Sequence, residues 1–139
     1  MSRKKVLFLC TGNSCRSQMA EAIVNKKMSA SWQAFSGGTK PAGYVHPFAL
    51  QVLSEIGINH EGKSTSVNDF INEDFDLVVT VCDAAAEECP LWLGHEKTIH
   101  LGFPDPAEAV GSETQILEEF RAVRDAILNQ IPELLANYA

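Results

Sequence analysis

Apolar residues along this chain fall into two kinds of run. Val6-Leu7-Phe8-Leu9-Cys10 and Leu77-Val78-Val79-Thr80-Val81-Cys82 are nearly continuous, Thr98-Ile99-His100-Leu101 is shorter, and Trp32 to Phe35 is a fourth candidate. Short unbroken runs suit strands covered on both faces, as in a parallel sheet. Elsewhere the apolar positions recur every three or four residues. From Ser17 to Met28 they are Met19, Ala20, Ile23, Val24 and Met28. From Pro47 to Ile56 they are Ala49, Val52, Leu53 and Ile56, with proline at a first-turn position and Gly57 as the stop. A last helix begins at Ser112, with Gln115 three residues on as a capping box. Its stripe is Ile116, Phe120, Val123, Ile127, Ile131, Leu134 and Tyr138, and Pro132 is expected to bend or break it. Strand–helix alternation predicts an α/β fold, a single doubly wound domain over residues 1–139 with a four-stranded parallel sheet flanked by helices. Ligands then belong at the carboxyl ends of the strands, where Cys10 and Cys82 both fall.

Composition narrows the partners. The chain has 139 residues, 11 Lys+Arg against 18 Asp+Glu and a formal charge of −7. That balance argues against nucleic acid or an anionic membrane surface, both of which reward clustered positive charge. Ser2-Arg3-Lys4-Lys5 leads into an apolar run of five residues. A secretory core needs roughly 7–15 and a membrane span about 20, so the expectation is a cytoplasmic, monomeric protein. There the four cysteines, Cys10, Cys15, Cys82 and Cys89, are read as catalytic, redox-active or metal-binding rather than as staples.

Cys10-Thr11-Gly12-Asn13-Ser14-Cys15-Arg16-Ser17 follows a strand and opens a helix. A loop wrapped at a helix N-terminus aims several backbone N–H groups at one point, and the helix dipole adds to their field. Gly12 and Asn13 tolerate the left-handed backbone such a nest needs. Arg16 adds a planar fork of donors for two oxygens of a tetrahedral oxyanion. The same field stabilises a thiolate at Cys10, and Ser17 can donate to that sulfur. Thr11, Gly12, Asn13, Ser14, Cys15 and Arg16 are therefore the candidate oxyanion-binding residues. The bland alternative is a buried cysteine before an ordinary turn; for Cys15 a packed small residue is the simpler reading, although a protective disulfide with Cys10 is within reach.

Cys82 and Cys89 bracket Asp83-Ala84-Ala85-Ala86-Glu87-Glu88, with Pro90 after them. Asp83 suits an N-cap and Ala84 to Glu88 favours helix. At 1.5 Å per residue the two Cα atoms would stand about 10.5 Å apart. A disulfide needs roughly 4.4–6.8 Å, so pairing them requires the segment to unwind. Inert core thiols, or two ligands of a zinc site, are the alternatives.

These motifs resemble a known family. Val6 to Glu21, through Cys10-Thr11-Gly12-Asn13-Ser14-Cys15-Arg16-Ser17-Gln18-Met19-Ala20-Glu21, is similar to the phosphate-binding loop of the low-molecular-weight protein tyrosine phosphatase fold. The Ser17-Gln18-Met19-Ala20-Glu21 continuation is closer to the arsenate reductases of that fold. Asp76 to Pro90 resembles the redox segment of thioredoxin-coupled arsenate reductases, and Gly102-Phe103-Pro104-Asp105-Pro106-Ala107 resembles their acid loop. The resemblance implies a three-cysteine relay for arsenate detoxification. Cys10 attacks arsenic and Asp105 protonates the leaving oxygen. Cys82 then attacks Cys10, releasing arsenite, and Cys89 closes a Cys82–Cys89 disulfide that thioredoxin reduces. No cofactor is bound; phosphate and sulfate compete with arsenate, and a weak phosphatase side activity is expected.

A monovalent-cation site near the loop is also implied, with Asn13, Glu21 and Ser36 matching its pattern. Ser66 stands where an acidic residue is expected, and the Lys63 ammonium is expected to replace the cation by pairing with Glu21. Pro104 stands where close relatives carry an acidic residue, and the region around Tyr44 is one residue longer. Two other readings stay open. One is a low-molecular-weight phosphatase using Cys10, Arg16 and Asp105. The other is a non-catalytic anion- or thiol-sensing module, which would have no need of an acid.

Overall fold

In the computed structural model, residues 3–82 and 98–138 are described. Four parallel strands form one sheet: β1 (Lys4–Cys10), β2 (Trp32–Gly38), β3 (Leu77–Thr80) and β4 (Thr98–His100), in the order β2-β1-β3-β4. Register pairs Cys10 with Gly38, Leu9 with Thr80, and Thr80 with His100. Chain order reverses between β1 and β3, the switch point where doubly wound sheets bind ligands. Cys10 ends β1 and Cys82 lies two residues past β3, so both thiols reach that crevice. β2 runs three residues beyond the predicted Phe35, through Ser36-Gly37-Gly38. That extension brings two glycines, Gly37 and Gly38, alongside the loop after β1.

Three helices are described: α1 (Arg16–Lys27), α2 (Pro47–Glu55) and α3 (Glu113–Ala136). The predicted capping box at Ser112 is present, with Gln115 N–H donating to Ser112 Oγ at 3.2 Å and Ser112 N–H donating to Gln115 Oε1 at 2.8 Å. The helix does not break at Pro132. Ile131 and Leu135, on either side, are fully buried, and that packing outweighs one lost backbone hydrogen bond. The buried stripe of α3 also differs from the predicted one. Leu117 and Leu135 face the core, while Ile116 and Leu134 are half-buried and Tyr138 is exposed. Arg124 joins that stripe, donating to Val52 O at 3.0 Å and to Glu55 Oε1 at 2.8 Å, which ties α3 to α2. Among the described residues no helix is long and apolar enough to cross a membrane. Cys89 and the predicted helix from Ala84 to Glu88 lie outside the described residues.

Candidate active site

The loop between β1 and α1 is gripped from outside. The Cys10 carbonyl accepts from Thr39 N–H at 3.2 Å, Thr11 from Lys40 N–H at 2.9 Å, and Gly12 from Ala42 N–H at 2.8 Å. Ser14 accepts from His46 N–H at 2.9 Å, and Cys15 from Met19 N–H at 2.9 Å. Gly12 O also takes the Ser64 hydroxyl at 2.9 Å, and Asn13 O takes Gln18 Nε2 at 3.1 Å. Six consecutive carbonyls are thus drawn away from the cleft. In a trans peptide the next N–H points opposite to its carbonyl, so the amides of residues 11–16 turn inward. Asn13 makes this turn possible with a φ of 48°, the one described non-glycine residue with positive φ. Gly38 permits the close approach: a Cβ there would lie 2.6 Å from Thr11 O.

Inside the loop, Cys10 Sγ receives Asn13 N–H at 3.2 Å and lies 2.8 Å from Ser17 Oγ. Asn13 Nδ2 donates to Ser17 Oγ at 2.8 Å, which leaves the Ser17 proton free to point at the sulfur. Ser17 is fully buried, so that hydroxyl does not look to water. A cleft of about 860 Å³ opens in front. It is lined by Cys10, Thr11, Gly12, Ser14, Cys15 and Arg16 on one side and Cys82, His100, Gly102, Phe103, Pro104 and Asp105 on the other. Cys82 Sγ lies 3.5 Å from Thr11 Oγ1. Cys10, Cys15 and Cys82 are free and buried. Burial pushes the Cys15 thiol up to about 11, so it stays protonated at neutral pH beside Ser14 Oγ.

Arg16 bridges the two sides. Its Nη1 donates to Phe103 O at 3.2 Å, and its Nη2 lies 3.5 Å from Asp105 Oδ2. Asp105 Oδ1 accepts from Ala107 N–H at 3.0 Å and caps the short turn Pro106–Glu108. One carboxylate therefore serves both as a turn cap and as the acidic group facing the loop. The acid loop itself hangs from β3 by Leu101 N–H to Thr80 O at 2.9 Å and Phe103 N–H to Val81 O at 3.0 Å.

The expected Lys63–Glu21 pair is corrected. Lys63 is exposed and contributes its carbonyl, which accepts from Gln18 Nε2 at 2.8 Å. Glu21 instead meets Ser36, whose hydroxyl donates to Oε1 at 3.1 Å, and His60, whose Nε2 lies 3.7 Å from Oε2. Burial raises the Glu21 carboxyl to about 7 and lowers His60 below its usual value. The cation set fits poorly. Asn13 Oδ1 is already taken by Thr65 N–H at 2.8 Å and Gln18 Nε2 at 3.0 Å. Glu21 Oε1 is engaged by the Ser36 hydroxyl, and Ser66 Oγ caps a turn by accepting from Asn68 N–H. His60, Ser64 and Thr65 were not legible as residues holding the loop, because each acts on it from another part of the chain; Gln18 was read only as part of the motif that continues from Ser17.

Comparison with known proteins agrees with this geometry. The model of the low molecular weight phosphotyrosine protein phosphatase family matches residues 5–139. An arsenate reductase of Bacillus subtilis is 41% identical over 135 residues, covering 96% of each chain. One from Shouchella clausii is 43% identical over 131 residues, covering 91% of each. Among solved structures, an arsenate reductase in the phosphate binding state superposes with a TM-score of 0.83 at 31% identity, covering 98% of this chain and 99% of the other. An arginine phosphatase from Geobacillus stearothermophilus superposes at 0.79 with 26% identity, covering 97% and 92%.

Proposed function

The chain belongs to the low molecular weight phosphotyrosine protein phosphatase family, and we propose that within it this protein reduces arsenate to arsenite. The observation that carries the reading is the second thiol. A phosphatase needs one nucleophilic cysteine in the cradle, yet Cys82 lines the same cleft as Cys10, beside Thr11. Reduction of As(V) to As(III) takes two electrons, and a dithiol becoming a disulfide supplies two. The arsenate reductases that match nearly the whole chain support the same choice.

The residues divide the work. The inward amides and the Arg16 fork bind the oxyanion, and Ser17 and Asn13 hold the Cys10 sulfur as an acceptor. Cys10 attacks arsenic, displacing an oxygen that Asp105 protonates and that leaves as water. Cys82 attacks the Cys10 sulfur. The S–As bond breaks, its electron pair stays on arsenic as arsenite leaves, and a Cys10–Cys82 disulfide forms. Cys89 resolves that bond to a Cys82–Cys89 disulfide, which a dithiol protein such as thioredoxin reduces. On this reading the protein is a cytoplasmic monomer in one domain over residues 1–139, and it needs no bound metal.

NADPH oxidation in the presence of thioredoxin and its reductase, on adding arsenate, tests the relay. Wild type oxidises NADPH continuously, whereas Cys89→Ser releases about one equivalent of arsenite at the expense of its own Cys10 and Cys82 thiols and drives no sustained NADPH oxidation, the stoichiometry of one unresolved disulfide. Aryl phosphate hydrolysis with no arsenate-dependent NADPH consumption would instead favour a phosphatase.

A further inference from the structure

His60 lies in the chain between α2 and β3, outside the motifs that define the loop, yet its side chain is bonded to Gln18 of α1, which in turn bonds Asn13 at the loop's centre. Its Nε2 is 2.8 Å from Gln18 Oε1. The direction of each bond in this chain can be read from groups with only one possible role. Thr65 N–H can only donate, so the Asn13 atom it meets at 2.8 Å is the carboxamide oxygen. Gln18 Nε2 faces that oxygen at 3.0 Å, Asn13 O at 3.1 Å and Lys63 O at 2.8 Å, three acceptors that require its NH2 group. Its oxygen therefore faces His60, and His60 Nε2 is the donor. Onward, Asn13 Nδ2 donates to Ser17 Oγ, and the Ser17 hydroxyl is left to donate to Cys10 Sγ.

Every bond from His60 to Ser17 thus has a fixed sense, and toward a Cys10 thiolate, which can only accept, the Ser17 hydroxyl is the donor. Gln18 is fully buried, so without His60 its amide oxygen loses its partner in a place water does not readily reach. A second feature points to the same contact. A Cβ on Gly62 would fall 2.2 Å from both Gln18 Oε1 and His60 Nε2, so a side chain there would force the pair apart.

We infer that His60 is a positioning residue for the Cys10 loop, acting through Gln18 and Asn13, and that this bond network takes the place of a monovalent cation beside Glu21. The inference deepens the reading of Cys10 as the reacting thiol and rests on it. It assigns His60 no contact with substrate. Its effect is to keep Gln18 turned so that Asn13 presents its nitrogen to Ser17 and its backbone N–H to the sulfur.

The test is the rate at which iodoacetamide alkylates Cys10 in the reduced full-length chain at pH 7, read by peptide mass, with melting temperature measured alongside. His60→Ala and Gly62→Ala are each expected to slow alkylation by about fivefold, the size of one lost hydrogen bond. His60→Gln, which can place an N–H donor near the same point, should stay within about twofold of wild type. Exchanging sodium for potassium should leave both the wild-type rate and its melting temperature unchanged. Gly62→Ala removes no polar group and carries the same expectation should His60→Ala fail to fold. Equal rates in wild type and the two alanine variants would overturn the inference. So would a His60→Gln as slow as His60→Ala, or a several-fold rise in the wild-type rate with potassium. Alkylation uses neither arsenate nor a reductant, so failure here is distinguishable from failure of the arsenate reductase reading.

Discussion

Residues 10–16 and residues 101–109 both leave the carboxyl ends of parallel strands and both face the same cleft, but they are held differently. The first has six consecutive carbonyls that accept hydrogen bonds from neighbours and a left-handed residue at its centre, and it lies against a strand end of serine and two glycines. The second is tied to β3 by two backbone bonds, reaches the first through Arg16, and buries Phe103 and Pro106 among exposed neighbours. A binding loop must keep its amides aimed at one point before the anion arrives, so over-determination pays there. On the proposed relay the loop of Asp105 delivers one proton and then makes way for attack by a second thiol, which a lightly held loop allows.

Three measurements sharpen that contrast. Asp105→Asn should have the largest effect on chemistry, lowering kcat by on the order of 10²–10⁴-fold through loss of the acid. Its melting temperature should stay near wild type, because asparagine can still accept from Ala107 N–H. A large loss of stability would show the acid loop to be as constrained as the anion loop. Gly38→Ala should do the reverse by pushing Thr11 O out of place. It is expected to cost about 2–3 kcal/mol in denaturant unfolding, the usual size of an overpacked site, and to weaken binding of arsenate and phosphate alike.

The last measurement concerns Glu21. Its carboxyl, raised by burial from 4.5 to about 7, keeps its proton in the folded chain after the unfolded chain has lost it. Its stabilising contribution is therefore full below about 4.5 and is lost as pH rises through 7, by about 3 kcal/mol in all. His60, lowered by burial from 6.5, gives the opposite slope below that pH. The difference between wild type and Glu21→Gln in melting temperature from pH 5 to 8 isolates the Glu21 part. Glu21→Gln should be relatively more stable at pH 8 than at pH 5, and a constant difference would contradict the burial of this carboxyl.

Much of the anion loop could be read directly, because its chemistry is consecutive in the chain. Cys10, Gly12, Asn13, Arg16 and Ser17 follow a strand and open a helix, and physical chemistry leaves few uses for that order. Asp105 was harder to read, since an aspartate between two prolines equally suits a turn; in the structure it caps that turn and also lies 3.5 Å from Arg16. The stripe of α3 is wider than the one read: Ile116 and Leu134 do pack against the core, and Leu117 and Leu135 beside them sit deeper, because periodicity fixes a face only to within about a hundred degrees and the neighbouring helices choose within it.

The sequence by itself determined the strand and helix types and the anion cradle around Cys10. Each of these is local, set by residues adjacent in the chain or a helical turn apart. Only the tertiary structure decided which groups hold the cradle in shape. Thr39, Lys40, Ala42 and His46 grip it by their backbones, which carry no side-chain signal. Lys63 was expected to meet Glu21 and gives only its carbonyl, while His60 occupies that place. Charge and spacing could nominate a partner for a buried carboxylate. Which side chain reaches it depends on how the chain after α2 folds back over α1, and that is settled by packing across forty residues rather than by any local pattern.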